Sequence, residues 1–197
     1  MEDSELDSRV VSSDDEQLIL VDGDDREIGF LGKADAHLGS GTLHRAFSLF
    51  VFNPAGELLL QRRANSKRLW PGYWSNTCCS HPRRGETMQR AIHRRLREEL
   101  GLTAELEFLF KFQYQSQYDA HAAEHELCSV YAGRSNAWPR ANVHEVGAWR
   151  HVNPQALQAE IACAPGNFTP WFKIEWARLM RAHSGVLDPD TRGGRKL

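Results

Sequence analysis

The segment that most restricts the fold of this chain is a helix predicted over residues 86–100, which stops at Gly101. At about 100° per residue its apolar side chains form one continuous arc. The arc consists of Met88, Ala91, Ile92, Leu96 and Leu100. Arg95 and Glu99 fall inside the same arc, whereas the other arginines of the helix point away from it, where solvated charges belong. The helix must therefore cover a core and bring a guanidinium and a carboxylate with it.

Short apolar runs, separated by turn residues such as "DGDD" and "NPAG", predict strands on both sides of this helix. They are "EQLILVD", "REIGFLGK", "AFSLFVFNPAGELLLQRR", "AELEFLFKFQYQ", "HELCSVYAG" and "VGAWRHV". Two later helices are predicted, near residues 154–162 and in "TPWFKIEWARLMRAH". Strands outnumber helices and surround a central helix, so we expect an α/β fold with a mixed sheet between helical layers.

The length of 197 residues suits a single domain, which we place at residues 16–184. Residues 1–15, which are acidic and rich in serine, and residues 185–197 are expected to be flexible tails. A net charge of −2 gives no field for attracting nucleic acid, and no apolar run is long enough to span a membrane. We therefore expect a cytoplasmic protein with free cysteine thiols and no nucleic-acid or membrane partner, in an oligomeric state that the sequence leaves open.

Two interpretations of Arg95 and Glu99 are open from the helix alone. They could form an ion pair between residues four apart, on a partly wet face. Alternatively, a partly buried carboxylate and guanidinium are kept to bind a metal and a phosphate, since buried charges otherwise cost several kcal/mol or more.

The spacing around the helix favours the second interpretation. The stretch "SHPRRGETMQRAIHRRLREELGL" resembles the Nudix box, a motif that binds a metal-diphosphate. The matching positions are Glu86, Arg94, Leu96, Glu98, Glu99, Gly101 and Leu102. Ser80 stands where the motif has Gly, and Arg95 stands for the first Glu of its helix. Replacing a metal-binding Glu by Arg removes charge that a hydrolase needs, so diphosphate binding is expected but attack by water on the diphosphate is not.

Further segments are similar to type I isopentenyl diphosphate isomerases, in the same order and along nearly the whole chain. They are "GKADAHLGSGTLHRAF", "QRRANSKRLWPGYWSNTCCSHP", "AAEHELCSVY" and "FTPWF". The resemblance implies a Nudix-like fold and an isomerase that interconverts isopentenyl and dimethylallyl diphosphate in isoprenoid biosynthesis. The expected partner is therefore a small-molecule diphosphate.

Imidazole and carboxylate groups in these segments suit a divalent metal ion. The candidate ligands are His37, His44, His81, Glu124 and Glu126. Glu124 and Glu126 lie two residues apart, so on a strand they face the same side and can reach one ion, while His125 and Leu127 face the other. Zn, Mn and Mg all suit such ligands.

Moving the double bond requires one proton to be added to the substrate and another to be removed, through a tertiary carbocation or a species close to it. The resemblance assigns these two steps to Cys79 and Glu126, without deciding which group donates first. It also implies that Trp171 stabilises the cation with its indole face and that Tyr114 hydrogen-bonds near Glu126. Cys78 is expected to pack, because adjacent side chains of a strand point to opposite faces.

Four cationic side chains complement the negative charge of the diphosphate. The resemblance also implies a magnesium ion that binds at the diphosphate. The cations are Lys33, Arg63, Lys67 and Arg95. In the family, the magnesium is held by a carboxylate at the position of Glu99 and by the main-chain carbonyl at the position of Cys79.

Two other functions compete with isomerisation. A Nudix hydrolase of a nucleoside or other organic diphosphate would keep the fold, although Arg95 and Cys79 argue against it. A non-catalytic module could use the His and Glu ligands for a structural metal. Structural zinc sites usually take four closely spaced Cys or His ligands, whereas these ligands extend from His37 to Glu126 and include two carboxylates.

Overall fold

Nine strands and four α-helices are formed within residues 9–183 and 185, the part of the chain that the computed structural model describes. The strands are β1 (Gln17–Val21), β2 (Glu27–Gly32), β3 (His44–Phe52), β4 (Leu58–Arg63), β5 (Trp74–Ser75), β6 (Cys78–Ser80), β7 (Leu106–Gln117), β8 (Ala123–Arg134) and β9 (Val146–Val152). The helices are α1 (Lys33–Ala36), α2 (Met88–Leu100), α3 (Pro154–Cys163) and α4 (Pro170–Ala182), with a 3₁₀ turn at Pro165–Asn167. The predicted strands and the three longer helices are confirmed, whereas the short helix α1 was not predicted.

Strand β3 lies at the centre of a single mixed sheet. It pairs in parallel with β8 from His44 opposite Glu126 to Phe52 opposite Arg134. On its other side it pairs antiparallel with β6, which places Ser48 opposite Cys79. Strand β7 extends the sheet beyond β8, and β9 and β5 extend it beyond β4. The sheet therefore brings the histidine and glutamate segments beside the cysteine segment.

Alternation along β3 supplies the two layers of the core. One face carries Phe47, Leu49 and Val51, which pack with Ala91, Ile92, Leu96 and Leu100 of α2. The opposite face carries Phe50 and Phe52, which pack with Phe168, Phe172 and Trp176 on and before α4. Burying each of these large side chains contributes about 1.5–3 kcal/mol. The sheet is thus covered by helices on both faces, as predicted.

Helix α2 has clear local signals at both ends. The Thr87 hydroxyl accepts a hydrogen bond from the backbone N–H of Arg90 at 3.3 Å, which caps the first turn. Gly101 ends the helix with a left-handed φ of 64°, and side chains other than glycine are strained in that region. The predicted end of the helix is confirmed.

The ends of the predicted domain lie at the edge of the described residues. The expected flexible tails at residues 1–15 and 185–197 lie mostly outside them and stay predictions, as do the domain limits at residues 16 and 184. Residues 9–15, which are described, hydrogen-bond to the domain: the Arg9 carbonyl accepts from Asn142 Nδ2 at 2.8 Å. No helix of the described part of the chain is long and apolar enough to cross a membrane.

Candidate active site

The five predicted metal ligands lie together at one end of the sheet. His37 follows α1, His44 begins β3, His81 follows β6, and the two glutamates are on β8. One potential ligand atom from each residue lies within 4.8 Å of all the others, and all five side chains are buried. His37 Nε2 is 2.8 Å from Glu124 Oε2, and His81 Nε2 is 2.9 Å from Glu126 Oε1. The sheet has therefore gathered residues from four separate segments into one cluster.

Backbone carbonyl groups orient two of these histidines toward the centre of the cluster. His37 Nδ1 lies 2.6 Å from the Lys33 carbonyl, and His44 Nδ1 lies 2.7 Å from the Thr42 carbonyl. A carbonyl only accepts, so each Nδ1 carries a proton, and the Nε2 of His44 presents its lone pair inward. The Nε2 of His37 is paired with Glu124 instead: burial opposes protonation of this ring, but the carboxylate raises the pKa of His37. His44 Nε2 is buried without a hydrogen-bond partner. Such an unpaired, inward-facing lone pair fits a cluster built to hold a metal ion.

Burial and neighbouring charges set the protonation of the cluster. Burial and the nearby His37 lower the pKa of His44 to about 4, and burial with His44 holds the pKa of His81 well below its ordinary value. Both rings are therefore neutral near pH 7, the form that binds metals. Burial opposes ionisation of Glu124, but His37 lowers its pKa to about 2.

The two adjacent cysteines lie on opposite faces of β6. Cys78 is fully buried in the core layer beneath α2, whereas Cys79 lines a cavity on the other face. Burial raises the pKa of the Cys79 thiol to about 12, although Arg63 works in the opposite direction. Cys79 is therefore a neutral thiol near pH 7. The predicted difference in orientation between the two cysteines is confirmed, and all four cysteines of the chain are free.

Glu126 joins the metal cluster to the cavity. Its Oε1 faces the histidines, and its Oε2 accepts a 2.7 Å hydrogen bond from the Tyr114 hydroxyl. Burial and the neighbouring Glu124 raise the pKa of Glu126 well above its ordinary value. Without an added cation this carboxyl therefore holds its proton more tightly than a free glutamate does.

A cavity of about 350 Å³ collects most of the predicted site residues. The predicted residues along its wall are Lys33, His37, Arg63, Lys67, Cys79, His81, Arg95, Tyr114, Glu124, Glu126 and Trp171. His44 and Glu99 are not part of this wall and lie behind it. Lys33, Lys67 and Arg95 lie together at one end of the cavity, where Glu145 pairs with the last two. Arg63 lies at the other end, with the acid/base, metal and aromatic groups: its Nη1 is 3.9 Å from Cys79 Sγ.

Arg95 is buried in a network of carboxylates. It is 2 % exposed, and its Nη2 donates to Glu99 Oε1 at 2.6 Å and lies 3.2 Å from Glu145 Oε2. Its Nη1 donates to Glu98 Oε2 at 3.2 Å and to the Val11 carbonyl at 3.1 Å. The predicted ion pair with Glu99 therefore exists, but on a buried face and not a wet one. Binding of diphosphate by Arg95 stays a prediction.

Glu145 is a site residue that the sequence reasoning missed. It lies just before β9, is 4 % exposed, and accepts a hydrogen bond from Lys67 Nζ as well as contacting Arg95. Burial opposes its ionisation, but Lys67 and Arg95 lower the pKa of Glu145 to about 2. In the sequence, the only distinguishing feature of Glu145 is its position beside a predicted strand in "NVHEVG". That signal is too weak to select one carboxylate in a loop.

Arg63 is engaged with the loop that follows it. Its Nε and Nη2 donate to the Leu69 carbonyl at 3.1 and 2.8 Å, and Nε also donates to the Trp70 carbonyl at 3.2 Å. Trp70 has a φ of 46°, a conformation that is strained in residues other than glycine. The centre of the Arg63 guanidinium is 5.3 Å from the centroid of the Trp171 ring. Arg63 therefore links the strained turn to the aromatic end of the cavity.

Residues before β1 also reach the cationic end. Lys33 Nζ donates to the Ser12 hydroxyl, and the Val11 carbonyl accepts from Arg83 as well as from Arg95. Ser12 lies on the wall of the cavity. Nothing in the acidic, serine-rich composition of this segment predicted these contacts.

A further buried carboxyl, Glu175, lies one turn after Trp171 on α4. It is fully buried, and the Cys128 thiol donates to its Oε1 at 3.5 Å. Burial raises the pKa of Glu175 to about 8. This group was also missed, because a glutamate in "WFKIEWARL" fits an ordinary solvated helix position.

Comparison with known proteins shows to which family this chain belongs. The sequence model of the NUDIX domain matches residues 42–172. An isopentenyl-diphosphate Delta-isomerase 1 of Photorhabdus laumondii is 45% identical over 174 residues, which cover 87% of this chain and 99% of the relative. An isopentenyl-diphosphate Delta-isomerase of Halorhodospira halophila is 45% identical over 161 residues, which cover 80% of this chain and 91% of the relative.

Solved structures agree on the fold. A crystal structure of a protein from Deinococcus radiodurans superposes with a TM-score of 0.62 at 27% identity, covering 75% of this chain and 90% of the other. A MutT protein from Methanosarcina mazei superposes with a TM-score of 0.61 at 17% identity, covering 72% of this chain and 95% of the other. Since the domain match covers more than half of the sequence and the named relatives are matched over most of their length, the chain belongs to the NUDIX family and, within it, to the isopentenyl-diphosphate Delta-isomerases.

Proposed function

We propose that this protein interconverts isopentenyl and dimethylallyl diphosphate, with Cys79 and Glu126 as its acid/base pair. The observation that carries the proposal is a single cavity that holds both groups together with four cations. A hydrocarbon diphosphate needs this arrangement, because its charged and reacting ends differ completely in chemistry. The named relatives are isopentenyl-diphosphate Delta-isomerases, which supports the same assignment.

The reaction adds one proton to the terminal alkene carbon and removes another from the carbon next to the alkene. The double bond moves by one position, and the formula of the substrate is unchanged. One of Cys79 and Glu126 ends each turnover with a proton lost and the other with a proton gained. The neutral thiol and the raised pKa of Glu126 keep a proton available on either group, and the group that removes the second proton must be deprotonated when the substrate binds.

The aromatic end of the cavity suits the cationic intermediate of this reaction. Trp171 is 3 % exposed and lines the cavity, so its indole is shielded from water. A desolvated indole face stabilises a cation by about 2 kcal/mol without donating or accepting a proton. The Tyr114 hydroxyl, which donates to Glu126, fixes the oxygen of that carboxyl that faces the cavity. Trp171 therefore stabilises charge, and Tyr114 orients the acid.

The cluster of His37, His44, His81, Glu124 and Glu126 would hold one divalent ion, with Mn, Zn and Mg all suited to it. When bound, the ion would withdraw charge from the two carboxylates and make Glu126 a stronger acid. The neutral imidazoles and the unpaired His44 Nε2 fit this role.

The diphosphate would be bound by Lys33, Lys67 and Arg95 at the cationic end of the cavity and by Arg63, which reaches it from the aromatic end. A magnesium ion at Glu99 and the Cys79 carbonyl would lie beside the same phosphates. Each carboxylate oxygen of Glu99 already accepts one hydrogen bond, from Arg95 at 2.6 Å and from Gln61 at 3.2 Å, so each keeps a second lone pair for an ion. The nearby guanidinium repels a free cation, so we expect this ion to bind only together with the diphosphate. The cytoplasmic location and the absence of nucleic-acid and membrane partners stay predictions from the sequence.

The deciding experiment is incubation of the protein with isopentenyl diphosphate, a divalent metal and magnesium in deuterated water. Dimethylallyl diphosphate carrying deuterium is the expected product, because the acid/base pair exchanges protons with solvent between turnovers. If neither product nor deuterium exchange is found with metal-loaded protein, the proposal is wrong. Release of phosphate instead would favour a hydrolase, and metal binding without any reaction would favour a structural metal module.

A further inference from the structure

Three consecutive polar residues are completely buried between β5 and β6. Ser75, Asn76 and Thr77 each have 0 % exposure, where a core would normally use apolar side chains. Thr77 Oγ1 accepts from the backbone N–H of Val51 at 2.9 Å and donates to the Leu59 carbonyl at 2.6 Å. Thr77 therefore links β3 to β4 within the sheet. Asn76 makes a different set of contacts.

Asn76 uses every hydrogen-bonding position of its amide. Its Oδ1 accepts from the indole N–H of Trp171 at 3.3 Å and from the Ser75 hydroxyl at 2.8 Å. Its Nδ2 donates to the Cys78 carbonyl at 2.7 Å and to the Leu49 carbonyl at 3.3 Å. Rotating the amide by half a turn would set its N–H groups against the indole N–H and its oxygen against two carbonyls, so this orientation is the only one that satisfies the network.

The amide thus joins two groups that the proposed reaction uses. At one end it holds the indole of Trp171, and at the other it holds the backbone immediately before Cys79. The start of α4 is already fastened to β5 by the backbone, since Thr169 N–H donates to the Trp74 carbonyl at 3.0 Å. The hydrogen bond that the indole donates to Asn76 therefore fixes the rotation of the indole and not the position of the helix.

The rotation of this indole matters because a ring attracts a cation only through its face. Trp70 lies against Trp171 at 88° with ring centroids 5.3 Å apart, a contact that limits sliding of the ring. Two contacts of Trp171 described above are directional, the N–H bond to Asn76 and the contact of the ring face with the Arg63 guanidinium, and only the first is a hydrogen bond. A tilt of the ring would weaken stabilisation of the intermediate while leaving Lys33, Lys67 and Arg95 in place for the diphosphate.

We propose that Asn76 is a positioning residue of the isomerisation, which holds the indole face of Trp171 at a fixed angle to the strand that carries Cys79. Asn76 is not part of the cavity wall and so acts through Trp171 without touching the substrate. The proposal rests on the proposed function, since only there does the indole meet a cation. Interactions made only in the transition state change kcat and leave ground-state binding intact.

The first test removes the indole N–H and keeps the shape of the ring; because sulfur also makes the ring face less electron-rich, a fall in kcat is read together with the double-mutant cycle described next. Site-specific replacement of Trp171 by benzothienylalanine puts sulfur in place of the N–H and keeps the size of the ring. We expect kcat to fall about tenfold, which corresponds to loss of most of a desolvated cation–π interaction, with KM and the Kd of inorganic diphosphate changing less than twofold. An unchanged kcat would overturn the proposal. If the unmodified protein shows no isomerisation, the proposed function fails, and this inference fails with it.

The second test is a double-mutant cycle on kcat with Asn76→Ala, Trp171→Phe and the double variant. Asn76→Ala should cost about tenfold in the wild-type background and less than threefold in the Trp171→Phe background, because phenylalanine has no N–H to hold. Equal losses in both backgrounds would show that Asn76 is only structural. Thr77→Val is the matched control from the same buried segment: it should lower the thermal midpoint without lowering kcat. If Asn76→Ala does not fold, the benzothienylalanine protein, which keeps Asn76, still tests the proposal, because an unchanged kcat would overturn it.

Discussion

Replacement of Arg95 by Met tests the feature that separates this chain from the Nudix pattern. The guanidinium is surrounded by Glu98, Glu99 and Glu145, and despite its burial these carboxylates hold the pKa of Arg95 above its ordinary value. In the variant Glu145 keeps its pairing with Lys67. Glu99 keeps neutral partners, the amide of Gln61 at 3.2 Å and the buried thiol of Cys78. One buried carboxylate therefore loses its cation.

The expected loss of stability follows from this one unpaired carboxylate. Removing one partner of a buried ion pair destabilises a protein by about 3–5 kcal/mol, because a buried charge is left uncompensated. The neighbouring Arg94 supplies the control. It binds Glu86 through two hydrogen bonds and also pairs with Glu98, but its side chain is 20% exposed, so water can solvate the carboxylates that its removal would leave. We therefore expect Arg95→Met to lose more stability than Arg94→Met.

Urea unfolding of the three proteins at pH 7, followed by circular dichroism, measures this difference. Equal losses in the two variants would refute the buried-pair argument. Calorimetry on the folded variants then tests the second expectation, that Arg95 binds diphosphate. Affinity for magnesium diphosphate should fall by about 1.5–3 kcal/mol in Arg95→Met, as expected for a lost charge-assisted hydrogen bond. Unchanged affinity would leave Arg95 a structural residue.

Three further outcomes are expected. Cys79→Ala should abolish turnover while Cys78→Ala keeps most of it, since only Cys79 faces the cavity; equal loss in two folded variants would contradict this. Excess metal should partly restore His44→Ala, which loses a ligand, but not Glu126→Gln, which loses a proton-transfer group, as shown by assaying bound metal and product in the same samples. The stability of the wild-type protein should fall as the pH rises from about 4.5 to 8, because the folded protein retains a proton on Glu175 that the unfolded chain has released; Glu175→Gln should abolish this fall. Urea unfolding at pH 5 and 8 should show the advantage of Glu175→Gln growing by about 1.4 kcal/mol per pH unit, and a constant difference would contradict it.

Local patterns in the sequence predicted those parts of the structure that local physics determines. The period of residues 86–100 predicted α2 and the burial of Arg95, and the two-residue spacing predicted that Glu124 and Glu126 share a face. Alternation likewise placed Cys78 and Cys79 on opposite faces of β6.

Apart from Glu175 on α4, the missed residues lie where no periodic pattern operates. Glu145 and Asn76 are on connections between elements, and their roles depend on which distant side chains meet them. Asn76 contacts Trp171 across 95 positions of sequence, a pairing that exists only after α4 has packed on the sheet. Likewise, the contact of Val11 with Arg95 depends on the path of the chain before β1. Chain topology, and not residue type, decides these contacts.

Glu145 and Glu175 show how one kind of side chain is given opposite charge states. Burial opposes ionisation of Glu145, but the cations around it lower its pKa to about 2, whereas Glu175 is buried beside a thiol and its pKa is raised to about 8. Near pH 7 the first is an anion that pairs with Lys67 and Arg95, and the second is mostly neutral. An ionised Glu175 would be a buried charge with a thiol as its partner in place of a cation, and its raised pKa avoids that cost. The difference between the two carboxyls therefore follows from the cations that the fold places beside one of them.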